Sequence, residues 1–224
     1  MATVTARSKP AVIDARPETV ADLLLRLGNV PAHRVRLHPP LGTATERDLI
    51  RNNESKFKTA ICELVDGCLV EKPVGWEESA IAFLIGQALL NFVRPRRLGT
   101  VLAPDGMLRL VPGLLRAPDV SFLARGKLTR YKRGGKRIPS VAADLAVEVV
   151  SKSNTKAEIA RKLNEYFATG TRLAWVVDPK TQTVRVHTTP RQSVVLGLDG
   201  ILDGGDVLPG FRLPVRDVFE LEDD

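Results

Sequence analysis

The chain has 224 residues, 44% of them hydrophobic and 26% charged, which fits one globular domain with its own core and excludes a disordered or fibrous chain. No apolar run approaches the roughly 20 residues of a membrane-spanning helix. The opening "MATVTARSKPAVIDARPETV" lacks the apolar centre of a secretory signal, so a cytoplasmic location away from any membrane is expected. Two cysteines, Cys62 and Cys68, and three scattered histidines, His33, His38 and His187, form neither a zinc set nor a disulfide framework. The net charge of +7 is compatible with a polyanionic partner.

In chain order, residues 1–40 read as a leader or appendage holding one short helix, "PETVADLLLRLGNV", capped near Thr19. Residues 41–224 read as the domain proper. Thr43 or Thr45 can cap a helix in "TATERDLIRNNESKFKTAICELVDG", and the "VDG" turn closes that segment. "CLVEKPV" is a short strand. "EESAIAFLIGQALLNFVRP" has apolar residues at helical spacing from Ile81 to Val93 and stops at Pro95. "TVLAPDGMLRLVPG" predicts two strands joined by the "PDG" turn, and 114–123 the next strand. "ADLAVEVVS" is an almost continuous apolar run, as in a central strand. A helix follows over "NTKAEIARKLNEYFATG", with Thr155 and Glu158 at capping-box spacing, then the buried strand "RLAWVVDP" and the alternating "VRVHTT". This order predicts an α/β (α+β) fold with a mixed sheet.

Two carboxylates sit oddly in this pattern. Asp119 lies beside Pro118 inside the apolar run "LLRAPDVSFLARG", and Glu148 lies inside the most apolar strand. A buried carboxylate needs a partner. Each could be paired with an arginine or lysine, or the two could share a divalent cation, and oxygen ligands favour Mg²⁺ or Mn²⁺ over zinc. Glu158, Lys162 and Tyr166 fall at i, i+4 and i+8 on one helix face; on spacing alone, Glu158 and Lys162 are most simply a surface pair. The segment 125–137 carries seven basic residues and no acid: Arg125, Lys127, Arg130, Lys132, Arg133, Lys136 and Arg137. It is either a solvated loop or a contact for a phosphate backbone.

The ordered set "CELVDGCLVEKP", "RAPDVSFL", "LAVEVVSKSNT", "EIARKLNEYFATG" and "AWVVDP" resembles the Uma-type restriction endonucleases, a branch of the PD-(D/E)XK nuclease superfamily, over about residues 43–215. The resemblance implies a restriction-endonuclease-like core and a metal-dependent endonuclease acting on DNA. Asp119 would be the aspartate of the "PD" element and Glu148 the second acid, both holding Mg²⁺ or Mn²⁺, with Glu63 supplementing the metal shell. The superfamily's usual lysine position is Val150 here, and Lys162 on the next helix stands in for it. Tyr166 matches a family tyrosine that packs or positions. Two positions depart from the family: Glu158 stands where aspartate is common, and Glu77, Glu78 and Ser79 occupy a turn where many members carry histidine. The resemblance also implies DNA as partner, with the 125–137 segment tracking the backbone, and a two-fold homodimer suited to cutting both strands; no small-molecule cofactor is expected. The alternatives are a nucleic-acid-binding or interaction protein without catalysis on the same fold, and a protein-binding module whose acids are held structurally by Arg116 or Lys162.

Overall fold

In the computed structural model of the chain, the described residues are 17–56, 60–73, 75–128, 131 and 138–220. The first two helices, α1 (Val20–Arg26) and α2 (Glu46–Glu54), each begin with a reciprocal capping box, Thr19 with Asp22 and Thr45 with Asp48. Asp66 and Gly67 have φ of 50° and 68°, the conformation a two-residue hairpin turn needs, and they join β1 (Cys62–Val65) to β2 (Cys68–Glu71). The 18-residue α3 (Trp76–Val93) stops just before Pro95. Among the described residues, no helix is long and apolar enough to cross a membrane.

The "PDG" turn does not make a hairpin. Its flanking strands, β3 (Gly99–Leu102) and β4 (Leu108–Val111), lie in different sheets. The run 114–123 is likewise not one strand. Pro118 has no N–H to give a ladder, and the run divides into β5 (Leu114–Arg116) and β6 (Val120–Ala124). Gly113, at φ 80°, turns β4 back onto β5, and β3 pairs with β6. Ala117, Pro118 and Asp119 are therefore the crossing from one sheet to the other.

The remaining elements are β7 (Leu145–Val149), α4 (Lys156–Ala168), β8 (Leu173–Asp178), β9 (Thr183–His187), β10 (Ser193–Leu196), β11 (Ile201–Asp203), β12 (Arg212–Pro214) and α5 (Arg216–Phe219). The sheets run β2-β1-β5-β4, β10-β9-β8-β7-β6-β3 and β11-β12. The β7–β8 pair, bridged by α4, is parallel within an otherwise antiparallel sheet. The fold is thus mixed α/β with helices on its sheets. Side-chain alternation along β7 decides what each face does. Leu145, Val147 and Val149 join the main core with Ile81, Ile85, Leu89 and Val93 of α3. Ala146 and Glu148 point the other way, toward α4 and Tyr166.

Residues 17–35, expected in a leader outside the domain, pack onto it. Leu23, Leu27 and Val30 are buried against Val65, Cys68 and Val70. Gly28, at φ +88°, abuts α4 so closely that a Cβ there would lie 2.8 Å from both Glu158 Cα and Glu158 N. Gly28→Ala should therefore combine left-handed strain with a backbone clash and lower unfolding free energy by about 2–4 kcal/mol, read from a urea melt. An unchanged midpoint would mean that this segment does not seat on α4 in solution.

Candidate active site

The register of β6 against β7 pairs Val120 with Val147, so Asp119, one residue earlier, stands across from Glu148. Two hydrogen bonds fix it there: Asp119 N–H donates to Val147 O at 2.9 Å, and Val149 N–H donates to Asp119 Oδ2 at 2.8 Å. Both acids open onto one cleft of about 80 Å³ that Lys72, Gly75, Glu78, Val149, Asn154 and Lys162 also line. That volume admits several waters, each needing about 10–15 Å³. The Asp119 side chain keeps 18% of its exposure and Glu148 only 5%.

Glu148 is gripped from α4. Lys162 Nζ donates to Glu148 Oε2 at 2.8 Å, and the Tyr166 hydroxyl donates to Oε1. The face that spacing alone read as a surface pair is buried: Glu158, Lys162 and Tyr166 are 1%, 2% and 1% exposed. Burial raises the Glu148 carboxyl and, although Lys162 opposes this, Asp119 and Glu63 leave it above the usual range. Burial works against the Lys162 ammonium, but Glu148 and Glu63 outweigh it and raise its pKa, so it stays charged. Burial, with Glu148 and Glu63 beside it, keeps the Tyr166 phenol protonated and hence a donor.

Glu63, expected in the metal shell, does something else. Its Oε1 accepts Ala117 N–H at 2.9 Å and its Oε2 accepts Arg116 at 2.8 Å, with Lys162 Nζ 3.5 Å away. It is 1% exposed and does not line the cleft. Burial pushes its carboxyl up, but Lys162, Arg116, Lys72 and Ala117 N–H together bring it down to about 2. Arg116 continues to Glu165 at 2.7 Å, and Glu165 to Arg161 at 2.7 Å. Among the described residues, no group of three or more His, Cys, Asp and Glu is placed to hold a metal. Asp119 and Glu148 are the two expected ligands that do line the cleft, together with Glu78 of α3.

Glu158 does not close its capping box by side chain. Its N–H is capped by Thr155, while its carboxylate accepts Arg34 at 2.9 and 2.8 Å and Asn154 Nδ2 at 2.9 Å. Arg34 thus anchors the N-terminal segment to the start of α4. The turn that departs from the family does face the cleft: Glu78 and Ser79 line it. A Cβ on Gly75 would lie 1.8 Å from Glu78 Oε2, so the missing side chain makes room for that carboxylate. Lys72, which the sequence reading passed over, forms an ion pair with Asp119 Oδ1 at 3.0 Å and donates to Pro104 O at 3.0 Å and to Ala117 O.

Of the expected phosphate contacts, Lys127 is held inward by Asp144 Oδ2 at 3.1 Å and Ala142 O at 3.0 Å. Arg125 is exposed and shares a groove with Arg94 and Arg97 at the far end of α3. Along α3 the cleft takes Gly75, Glu78, Ser79 and Ala82 and the groove Leu90, Val93 and Arg94, so the two are roughly 12–28 Å apart at about 1.5 Å per residue. Arg130, Lys132, Arg133, Lys136 and Arg137 lie outside the described residues.

A model of the Uma2 family, described as "Putative restriction endonuclease", matches residues 55–216. The chain belongs to the Uma2 family. The Uma2 match takes in Glu63, Asp119, Glu148, Lys162 and Tyr166, and leaves out Arg34. A solved structure described as a putative nuclease from Anabaena variabilis has the same fold, with a TM-score of 0.68 at 19% identity, covering 79% of this chain and 98% of that one. No curated protein matches the chain.

Proposed function

We propose that the cleft hydrolyses DNA phosphodiester bonds with Mg²⁺ or Mn²⁺. The observation that carries the reading is the placement of Asp119 and Glu148 across adjacent strands, open to one cleft, with the Lys162 ammonium on Glu148. The donor chemistry fits. Mg²⁺ takes one or two carboxylates and fills its shell with water and substrate phosphate. A carboxylate has about four acceptor sites, so Asp119 and Glu148 keep capacity beyond the donors they already meet. A cation bound there would polarise a phosphate oxygen and lower the pKa of its water. Lys162 is too strongly held as a cation to act as a base; it stabilises negative charge growing on the phosphate. Tyr166 orients Glu148. Arg125, with Arg94 and Arg97, offers charge to a duplex lying along α3. A cytoplasmic setting and a two-fold homodimer, one cleft for each strand, accompany this reading.

The test is nicking of supercoiled plasmid with Mg²⁺, Mn²⁺ or EDTA, using wild type, Asp119→Asn and Lys162→Ala. Cation-dependent nicking that both variants lose is the expected result; nicking that survives Asp119→Asn rejects the assignment. One observation favours a second reading, a nucleic-acid-binding protein without catalysis: both acids already carry an ammonium, Lys162 on Glu148 and Lys72 on Asp119. Calorimetry with no Mg²⁺ or Mn²⁺ binding would select it.

A further inference from the structure

Lys72 lies near the end of the first segment of the motif order, "CELVDGCLVEKP", where the resemblance gives it no role, yet it is tightly held. It follows β2 directly and is 6% exposed. Its ammonium stands among three oxygens: it donates to the carbonyls of Pro104 and Ala117 and forms an ion pair with Oδ1 of Asp119 at 3.0 Å. Two carbonyls and a carboxylate make a hard oxygen set, the ligand type that Mg²⁺ and Ca²⁺ also select. The other Asp119 oxygen is held by Val149 N–H. An ammonium on Oδ1 therefore stands where an incoming cation would share the carboxylate.

We propose that Lys72 is a tethered rival of the divalent cation, and that its ammonium sets how weakly the cleft loads metal. The inference rests on the cation site of the proposed function and adds the residue that regulates it. A divalent ion at Asp119 must either displace this ammonium or bind beside it against like-charge repulsion, and both routes weaken binding. Lys162 cannot take this role, because it lies on Glu148 and is shared with Glu63. Removing the Lys72 charge frees Oδ1 and abolishes the repulsion, while Asp119, 18% exposed, remains within reach of water.

The experiment is Mn²⁺ titration by calorimetry of the full chain as wild type, Lys72→Met, Lys72→Gln and Lys72→Arg. Glutamine keeps an amide NH₂ that can donate to the Pro104 or Ala117 carbonyl, so it provides a second neutral variant should methionine fail to fold. Both neutral variants are expected to bind Mn²⁺ at least about tenfold more tightly than wild type, with arginine staying near wild type. Mn²⁺ should also raise the melting temperature of the neutral variants more than that of wild type. Adding Asp119→Asn to Lys72→Gln should remove the gain. Equal or weaker Mn²⁺ binding in a folded neutral variant overturns the role of Lys72; if wild type still binds through Asp119, the nuclease reading stands. Absence of Asp119-dependent binding in every variant overturns both.

Discussion

Glu148→Gln is expected to reduce plasmid nicking by on the order of 10²–10³-fold while leaving the melting temperature nearly unchanged. The loss follows from removing one of the two carboxylates that the proposed cation would bind, both of which line the cleft. The tolerance follows from the local donors. Glutamine can turn its oxygen to Lys162 and its amide toward the Tyr166 hydroxyl, which accepts as well as donates. Lys162 keeps a carboxylate within 3.5 Å, at Glu63. The substitution also removes a charge that burial disfavours, as the raised Glu148 pKa shows. A change in unfolding free energy within about 1 kcal/mol is therefore expected. Thermal melts and nicking rates on the same preparation check it, and collapse of the fold would show that Glu148 is chiefly a structural ion.

The two acids were legible because their neighbours are not polar. A carboxylate inside "LLRAPDVSFLARG" or "LAVEVV" has no ordinary reason to be there. The hydrophobic pattern also located α3, β7, α4 and β8, since long periodic or continuous apolar runs leave few alternatives. Sheet assignment was not legible. Residues 104–106 have turn chemistry, but turn chemistry does not say that both flanking strands enter one sheet. Pro118 decides that, by ending β5 and starting β6 elsewhere. Ion-pair partners were hidden for a different reason. Arg34 reaches Glu158 across 124 positions and Arg116 reaches Glu63 across 53, and charge alone carries no address. Lys72 looks like the polar end of a strand until Asp119 is placed beside it. Lys162 was found through the family pattern, and its burial follows from the face of β7 that carries Glu148.

Glu63→Gln should behave in the opposite way, lowering unfolding free energy by about 3–5 kcal/mol and leaving Mn²⁺ affinity of the folded protein unchanged. Both Glu63 oxygens accept from fixed donors, Ala117 N–H and Arg116. Neither donor can turn into an acceptor, so the glutamine amide must face one of them donor to donor. Arg116 would keep Glu165 and Lys162 would keep Glu148, which limits the damage without removing it. For a chain of this size, the expected fall in melting temperature is about 6–20 °C. The same residue gives a pH signature. Its folded pKa of about 2 lies below the ordinary value of 4.5, so its stabilisation is complete above pH 4.5 and lost as pH falls from 4.5 through about 2. That difference corresponds to on the order of 3 kcal/mol of acid sensitivity, which Glu63→Gln should remove from the acid limb of the unfolding profile. A variant that keeps wild-type stability and acid sensitivity but loses Mn²⁺ binding would instead return Glu63 to the metal shell and require the Arg116 pairing to open.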